Sequence, residues 1–269
     1  MQTKQQLIEF LGAKPRRVHF VGIGGCGMSG LARLLLQQGH QVIGSDIAPN
    51  GETTGLRKLG AKIHTGHAAR HVHSDTDLLV YTSAVTPDND ELKAAAELKI
   101  PTVQRGRLLT ALMTHRNNIA VAGTHGKTTT TAMIAHVLTR SDSAPSFCIG
   151  ANVPVLGTNA QIGGGNYFVA EADESDGTLV KYEPSVGIVL NISRDHKSVD
   201  EIAALFGTLV SQSEWIASNA DDPVLRSLPA TVRFGKNGSG TWTADHEQLL
   251  PASVRLVRNN TEYHLPLPG

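Results

Sequence analysis

Twice in this chain an apolar, β-branched run enters a glycine turn and leaves it as a helix pattern. This repeated device limits the fold more than any other feature of the sequence. The first copy runs from Val18-His19-Phe20-Val21 into Gly22-Ile23-Gly24-Gly25-Cys26-Gly27. The second runs from Ile119-Ala120-Val121-Ala122 into Gly123-Thr124-His125-Gly126-Lys127-Thr128-Thr129-Thr130. A strand, a glycine turn and a helix start bring free backbone N–H groups and the positive end of a helix dipole to one point, which suits an anion. Such units build α/β folds, in which a parallel sheet is covered by helices on both faces.

The surrounding pattern agrees. Candidate strands at 18–22, 41–44, 62–64, 77–82 and 101–104 alternate with helical patterns at 27–38, 53–59, 89–98 and 107–115. A second series follows, with strands at 119–122, 167–172, 186–192 and 215–218 and a helix at 127–138. The polar stretch 114–118 separates the two, so the expected domains are 1–116 and 117–269. A length of 269 residues is comfortable for two. The tail from Gly235 is turn-rich, and 253–257 with 261–265 reads as a hairpin about Asn259-Asn260, a small β appendage.

Composition narrows the partners. Lys plus Arg and Asp plus Glu both number 24, a balance that gives no basis for nucleic acid or an anionic membrane surface as a partner. No apolar run approaches the roughly 20 residues of a membrane span. Two cysteines, Cys26 and Cys148, fit a reducing cytoplasm better than a disulfide framework.

The loops carry the chemistry. Gly22, Gly24, Gly25 and Gly27 permit a tight turn and close approach of backbone to phosphate, and Asp46 ends the next strand, where a carboxylate can accept from ribose hydroxyls. NAD and a UDP-sugar both present a pyrophosphate, so the pattern leaves both open. In the second loop Lys127 would neutralise β- and γ-phosphate charge and Thr128 would ligate Mg²⁺, although Gly123 and Gly126 stand closer together than in the usual phosphate loop. Glu171, Asp173, Glu174 and Asp176 crowd the end of the strand at 167–172, and like charges so placed imply a cation with oxygen ligands, such as Mg²⁺. By spacing alone His196 reads as a capping or surface residue. His64, His67, His71 and His73 match no metal-ligand spacing and are expected to be mostly solvated. A dehydrogenase would leave the second loop unexplained, and a simple kinase the first. Both together suggest an ATP-driven reaction on a nucleotide-linked substrate.

With these motifs in their order along the chain, and with Gly44-Ser45-Asp46, Ala170-Glu171-Ala172-Asp173 and Asn191-Ile192-x-x-Asp195-His196 beside them, the sequence resembles the Mur ligase family. The resemblance implies a Rossmann-like domain followed by a P-loop-type ATP-binding α/β domain. It implies a cytoplasmic enzyme of peptidoglycan synthesis that uses ATP and Mg²⁺ to join L-alanine to UDP-N-acetylmuramate through an acyl phosphate. It places Gly22, Gly24, Gly25, Gly27, Asp46 and Ser83 on the UDP-sugar. Gly123, Thr124, His125, Gly126, Lys127, Thr128 and Thr129 would surround ATP. Lys127, Glu171 and His196 become the catalytic set, with Thr128, Glu171 and His196 as metal ligands. A ligase that attaches a preformed peptide and a non-catalytic UDP-sugar-binding module stay open beside it. The residues Lys197-Ser198-Val199-Asp200 depart from the alanine-adding pattern. The closing Leu265-Pro266-Leu267-Pro268-Gly269 resembles the Pro-Gly that precedes an Arg-His-Asn segment and a third domain in the family. The chain is therefore expected to bind nucleotides and not to turn over alone.

Overall fold

The computed structural model describes residues 3–114, 116–173, 179–194 and 198–235, together with the backbone of three later strands. Among these residues the chain forms three sheets. The first has the order β3-β2-β1-β4-β5 and is wholly parallel, with β1 (Arg17–Val21), β2 (Gln41–Asp46), β3 (Lys62–Thr65), β4 (Leu78–Tyr81) and β5 (Thr102–Gln104). The helices α1 (Lys4–Ala13), α2 (Cys26–Gln37), α3 (Gly51–Lys58), α4 (Asp90–Glu97) and α5 (Arg105–Leu112) accompany it. Its strand order reverses between β1 and β4, whose C-terminal ends lie side by side with Val21 opposite Tyr81. Open parallel sheets bind ligands at such a reversal.

The second sheet has the order β12-β11-β10-β6-β9-β7-β8. Its strands are β6 (Asn117–Ala122), β7 (Ser146–Val153), β8 (Thr158–Gln161), β9 (Tyr167–Glu171), β10 (Val186–Val189), β11 (Trp215–Asn219) and β12 (Val232–Phe234), with helices α6 (Lys127–Arg140) and α7 (Val199–Gln212). All neighbours are parallel except β7 and β8. The third sheet is an antiparallel meander of β13 (His246–Leu250), β14 (Ser253–Arg258) and β15 (Thr261–Pro266). The architecture is thus the α/β arrangement expected, with its hairpin at 253–266.

Several elements lie outside the sequence pattern. β7 opens on a short buried run, Phe147-Cys148-Ile149, and continues through Gly150, Ala151 and Asn152, while β8 is Thr-Asn-Ala-Gln and is held as an edge by antiparallel pairing to β7. α7 begins at a capping box in which Ser198 accepts from the Glu201 N–H and Glu201 returns the bond. One buried cluster runs continuously from Leu34 and Phe20 of the first sheet's layers to Phe168 and Phe206 of the second. The seam is α2, which packs on β7 and β8. Gly30 makes that approach possible, since a Cβ there would stand 3.0 Å from the Cys148 sulfur. No described helix is long and apolar enough to cross a membrane.

Candidate functional site

A cavity of about 850 Å³ opens where the C-terminal edges of the two sheets meet. Gly22, Gly24, Gly25 and Gly27 border it from one side, and Thr128, Gly150 and Glu171 from the other.

The first loop is shaped by its own hydrogen bonds. Gly22 turns at a φ of +79°, a region natural to glycine, and the Gly22 and Ile23 N–H groups both donate to the Ser45 carbonyl, at 2.9 and 3.0 Å. The Gly24 N–H donates to Asp46 Oδ2 at 2.7 Å, and Asn50 Nδ2 donates to the Gly24 carbonyl at 2.9 Å. Asp46 thus braces the loop as well as bordering the cavity, and Ser83 borders it on the β4 side. Gly25 caps α2 without a side-chain bond, so the helix start keeps free N–H groups.

The second loop is braced by the exit of β10. The Asn191 side chain accepts from the His125 N–H at 2.8 Å and donates to the His125 carbonyl at 2.9 Å. Thr124 Oγ1 accepts from the Ser193 N–H at 3.0 Å, and the Thr124 N–H donates to the Asn191 carbonyl at 3.1 Å. Asp222 fastens this exit from behind by accepting the Ile192 N–H at 2.7 Å. Gly123 and Gly126 both have positive φ, +150° and +83°, and Gly126 caps α6. Lys127 Nζ lies over the loop, 2.6 Å from the Gly123 carbonyl and 3.3 Å from that of Thr124. Thr129, in the first turn of α6, is exposed.

Between the loops stands Glu171, opposite Val121 of β6 by register. It accepts the Gly150 N–H at 2.6 Å, and Thr128 Oγ1 donates to it at 3.2 Å. Burial lifts its carboxyl pKa above the usual range, with Asp173 adding to the effect, while Gly150, Thr128 and Lys127 oppose it. A desolvated carboxylate beside a hydroxyl fits a hard cation. Mg²⁺ commonly takes one or two protein oxygens and completes its shell with phosphate and water. The described residues contain no cluster of three His, Cys, Asp or Glu that could hold a metal. Asp173, by contrast, is paired with Arg105 of α5. His196, Lys197, Glu174 and Asp176 lie outside the described residues.

The charged form of Glu171 is disfavoured by folding, so its stabilising contribution is complete below the unfolded pKa and is lost as pH rises through the folded one. Glu171→Gln should therefore melt no lower than the parent chain at pH 8. It should also weaken the Mg²⁺-dependent part of ATP binding by at least roughly tenfold. Thermal melts and a metal titration check both halves; an unchanged titration would exclude Glu171 as a metal ligand.

The structure also brings in groups that sequence reasoning did not single out for the site. Arg105 reaches the first loop, since a Cβ on Gly27 would lie 2.7 Å from its Nη1. Its one legible signal is its place at the end of a short strand, where ligands gather. Gly150 is needed because a Cβ there would meet Glu171 Oε2 at 2.7 Å. The histidines call for a correction. His71 is buried, His64 and His67 are half-buried, and only His73 is exposed, because His67 and His71 turn toward the buried Glu91 and His64 stacks on His71.

Comparison with known proteins identifies the family. Residues 17–117 match the model of the Mur ligase family, catalytic domain, and residues 121–269 that of the Mur ligase middle domain. A UDP-N-acetylmuramate–L-alanine ligase of Streptomyces griseus is 47% identical over 82% of this chain and 49% of its own length. One from a Sulfurihydrogenibium species is 39% identical over 95% of the chain and 59% of its own length. The chain thus spans about half the length of these relatives. The crystal structure of UDP-N-acetylmuramate-alanine ligase MurC from Thermotoga maritima superposes with a TM-score of 0.87 at 32% identity, over 94% of this chain and 61% of that one. UDP-N-acetylmuramate:L-alanyl-gamma-D-glutamyl-meso-diaminopimelate ligase from Neisseria meningitides superposes with a TM-score of 0.81 at 26% identity, over 93% and 86%. With two successive family models across nearly all of the sequence, the chain belongs to the Mur ligase family.

Proposed function

We propose that this chain binds UDP-N-acetylmuramate and Mg·ATP side by side, within a cytoplasmic enzyme of peptidoglycan synthesis that joins L-alanine to the sugar's carboxylate. The observation that carries this reading is the cavity bordered on one side by the first glycine loop and on the other by Thr128, at the start of α6 just after the second loop, and by Glu171. In it, residues 1–116 form the UDP-sugar domain and residues 117–269 the ATP domain.

A carboxylate is a poor acyl donor because oxide would have to leave. Transfer of the γ-phosphoryl group makes an acyl phosphate; the amine then attacks and phosphate departs. The protein's contribution is alignment and charge neutralisation. The first loop and the start of α2 would hold the diphosphate, with Asp46 and Ser83 beside the nucleoside. The loop 123–126 would cradle the triphosphate, and Lys127 would follow the transferred phosphoryl group. Thr128 and Glu171, with His196, would hold Mg²⁺, which supplies Lewis-acid neutralisation of phosphate charge.

Isothermal titration with UDP-N-acetylmuramate, Mg·ATP and NAD tests the proposal. Separate binding of the first two without NAD is the expected result. Binding of NAD alone would overturn it. A second reading, a ligase that attaches a preformed peptide, draws on the superposition with the Neisseria enzyme. Turnover with L-alanine but not with the tripeptide, in a protein containing this chain, would decide against it.

A further inference from the structure

Beside the first loop lies a buried cluster that the reaction above does not use. Glu91, in the first turn of α4, is fully buried. Its Oε2 is 2.5 Å from Ser45 Oγ of β2 and 3.4 Å from His19 Nε2 of β1, while its Oε1 is 3.0 Å from His71 Nδ1 and 3.4 Å from the Ala68 N–H. His67 Nδ1 lies 2.9 Å from Ser45 Oγ and 3.4 Å from Glu91 Oε2. Burial alone would raise the pKa of Glu91, but bonds from His19, Ser45 and His71 outweigh it and hold the value at about 2.

The protons can then be counted. An ionised carboxylate only accepts, and a serine hydroxyl has one proton to give. Ser45 gives that proton to Glu91, so toward His67 it can only accept. His67 Nδ1 must therefore carry a hydrogen. The ring also borders the same cavity as Asp46, and the Gly66 N–H donates to the Asp46 carbonyl at 2.7 Å, tying His67's segment to the nucleotide side.

We infer that Glu91 is a positioning residue that holds His67 as the Nδ1–H tautomer, whose bare Nε2 is the acceptor for a ligand hydroxyl or N–H in the cavity. The inference rests on the proposal that a uridine nucleotide occupies the cavity. The complementary donor is a ribose hydroxyl or the imide N–H of the base. The buried carboxylate thus sets the hydrogen-bond polarity of the cavity wall without touching the ligand.

Two measurements test this. Side-chain ¹⁵N spectra of the histidine-labelled chain, with His67 assigned through His67→Gln, should show the Nδ1–H tautomer; an Nε2–H tautomer overturns the inference. Affinities for UDP, its 2′- and 3′-deoxy forms and N3-methyl-UDP should then reveal one analogue bound about tenfold more weakly, the worth of one hydrogen bond. The analogue that suffers names the donor. In Glu91→Gln, whose amide can donate to Nδ1, the gap should shrink and the tautomer should change. Ser45→Ala serves if that variant does not fold. Equal affinity for all analogues, or a gap untouched by both variants, overturns the acceptor role. If UDP fails to bind while the spectrum shows Nδ1–H, the nucleotide reading fails and the tautomer assignment stands.

Discussion

Lys127→Ala is expected to weaken Mg·ATP binding by about a hundredfold or more, the scale of losing a charge-assisted contact to phosphate in a partly desolvated site. UDP-N-acetylmuramate affinity should stay unchanged. The ammonium already lies over its loop, 2.6 Å from the Gly123 carbonyl. Alanine is the better helix former at this first turn of α6, so the variant should keep its melting temperature. The first loop draws its own bracing from Ser45, Asp46 and Asn50, none of which meets Lys127 in the hydrogen bonds described above. Paired titrations decide: loss of both ligands together would refute two separate subsites.

Gly24→Ala should do the reverse. A Cβ there would stand 2.8 Å from Asp46 Oδ2 and 2.9 Å from Asn50 Nδ2. Neither neighbour is a loose chain end. Asp46 accepts the Gly24 N–H at 2.7 Å, and Asn50 donates to the Gly24 carbonyl while its Oδ1 caps α3 through the Thr53 N–H at 2.9 Å. The methyl must displace the loop or its braces, so the amides that would face the diphosphate move. UDP affinity should fall by about a hundredfold, the cost of misplacing two or more hydrogen bonds, with Mg·ATP binding intact. Unchanged UDP affinity would exclude this loop as the diphosphate site.

The two variants probe what was most legible. The loops could be read because glycine spacing after a β-branched strand and before a helix is a local signal. Glu171 and Thr128 could be named for the same reason, each sitting at a fixed step from a strand end or a helix start. Arg105 could not, since nothing near it in sequence says that it will lie between Gly27 and Asp173. Nor could β7 and β8. The apolar run Phe147-Cys148-Ile149 is too short to stand out, and the small and polar residues of the rest of β7 and of β8 form strand through pairing with one another and through packing against α2, so the tertiary setting overrides weak local preference.

The histidines mark the division most sharply. His64, His67 and His71 look like solvated loop residues because a polar run between two strands is usually exposed. Their burial depends on Glu91, distant in sequence and carried to them by α4. By itself the sequence determined the α/β class, the two glycine loops and the placement of the acidic strand end, all of which follow from residues within about one strand–loop–helix unit. The tertiary structure decided that the first loop, Thr128 and Glu171 border one cavity, that Arg105 and Asp173 bridge it, and that a buried carboxylate orders the imidazoles beside Asp46. Those facts arise from packing α2 between two sheets and closing β1 against β4, contacts between segments far apart in the chain whose geometry no local pattern encodes.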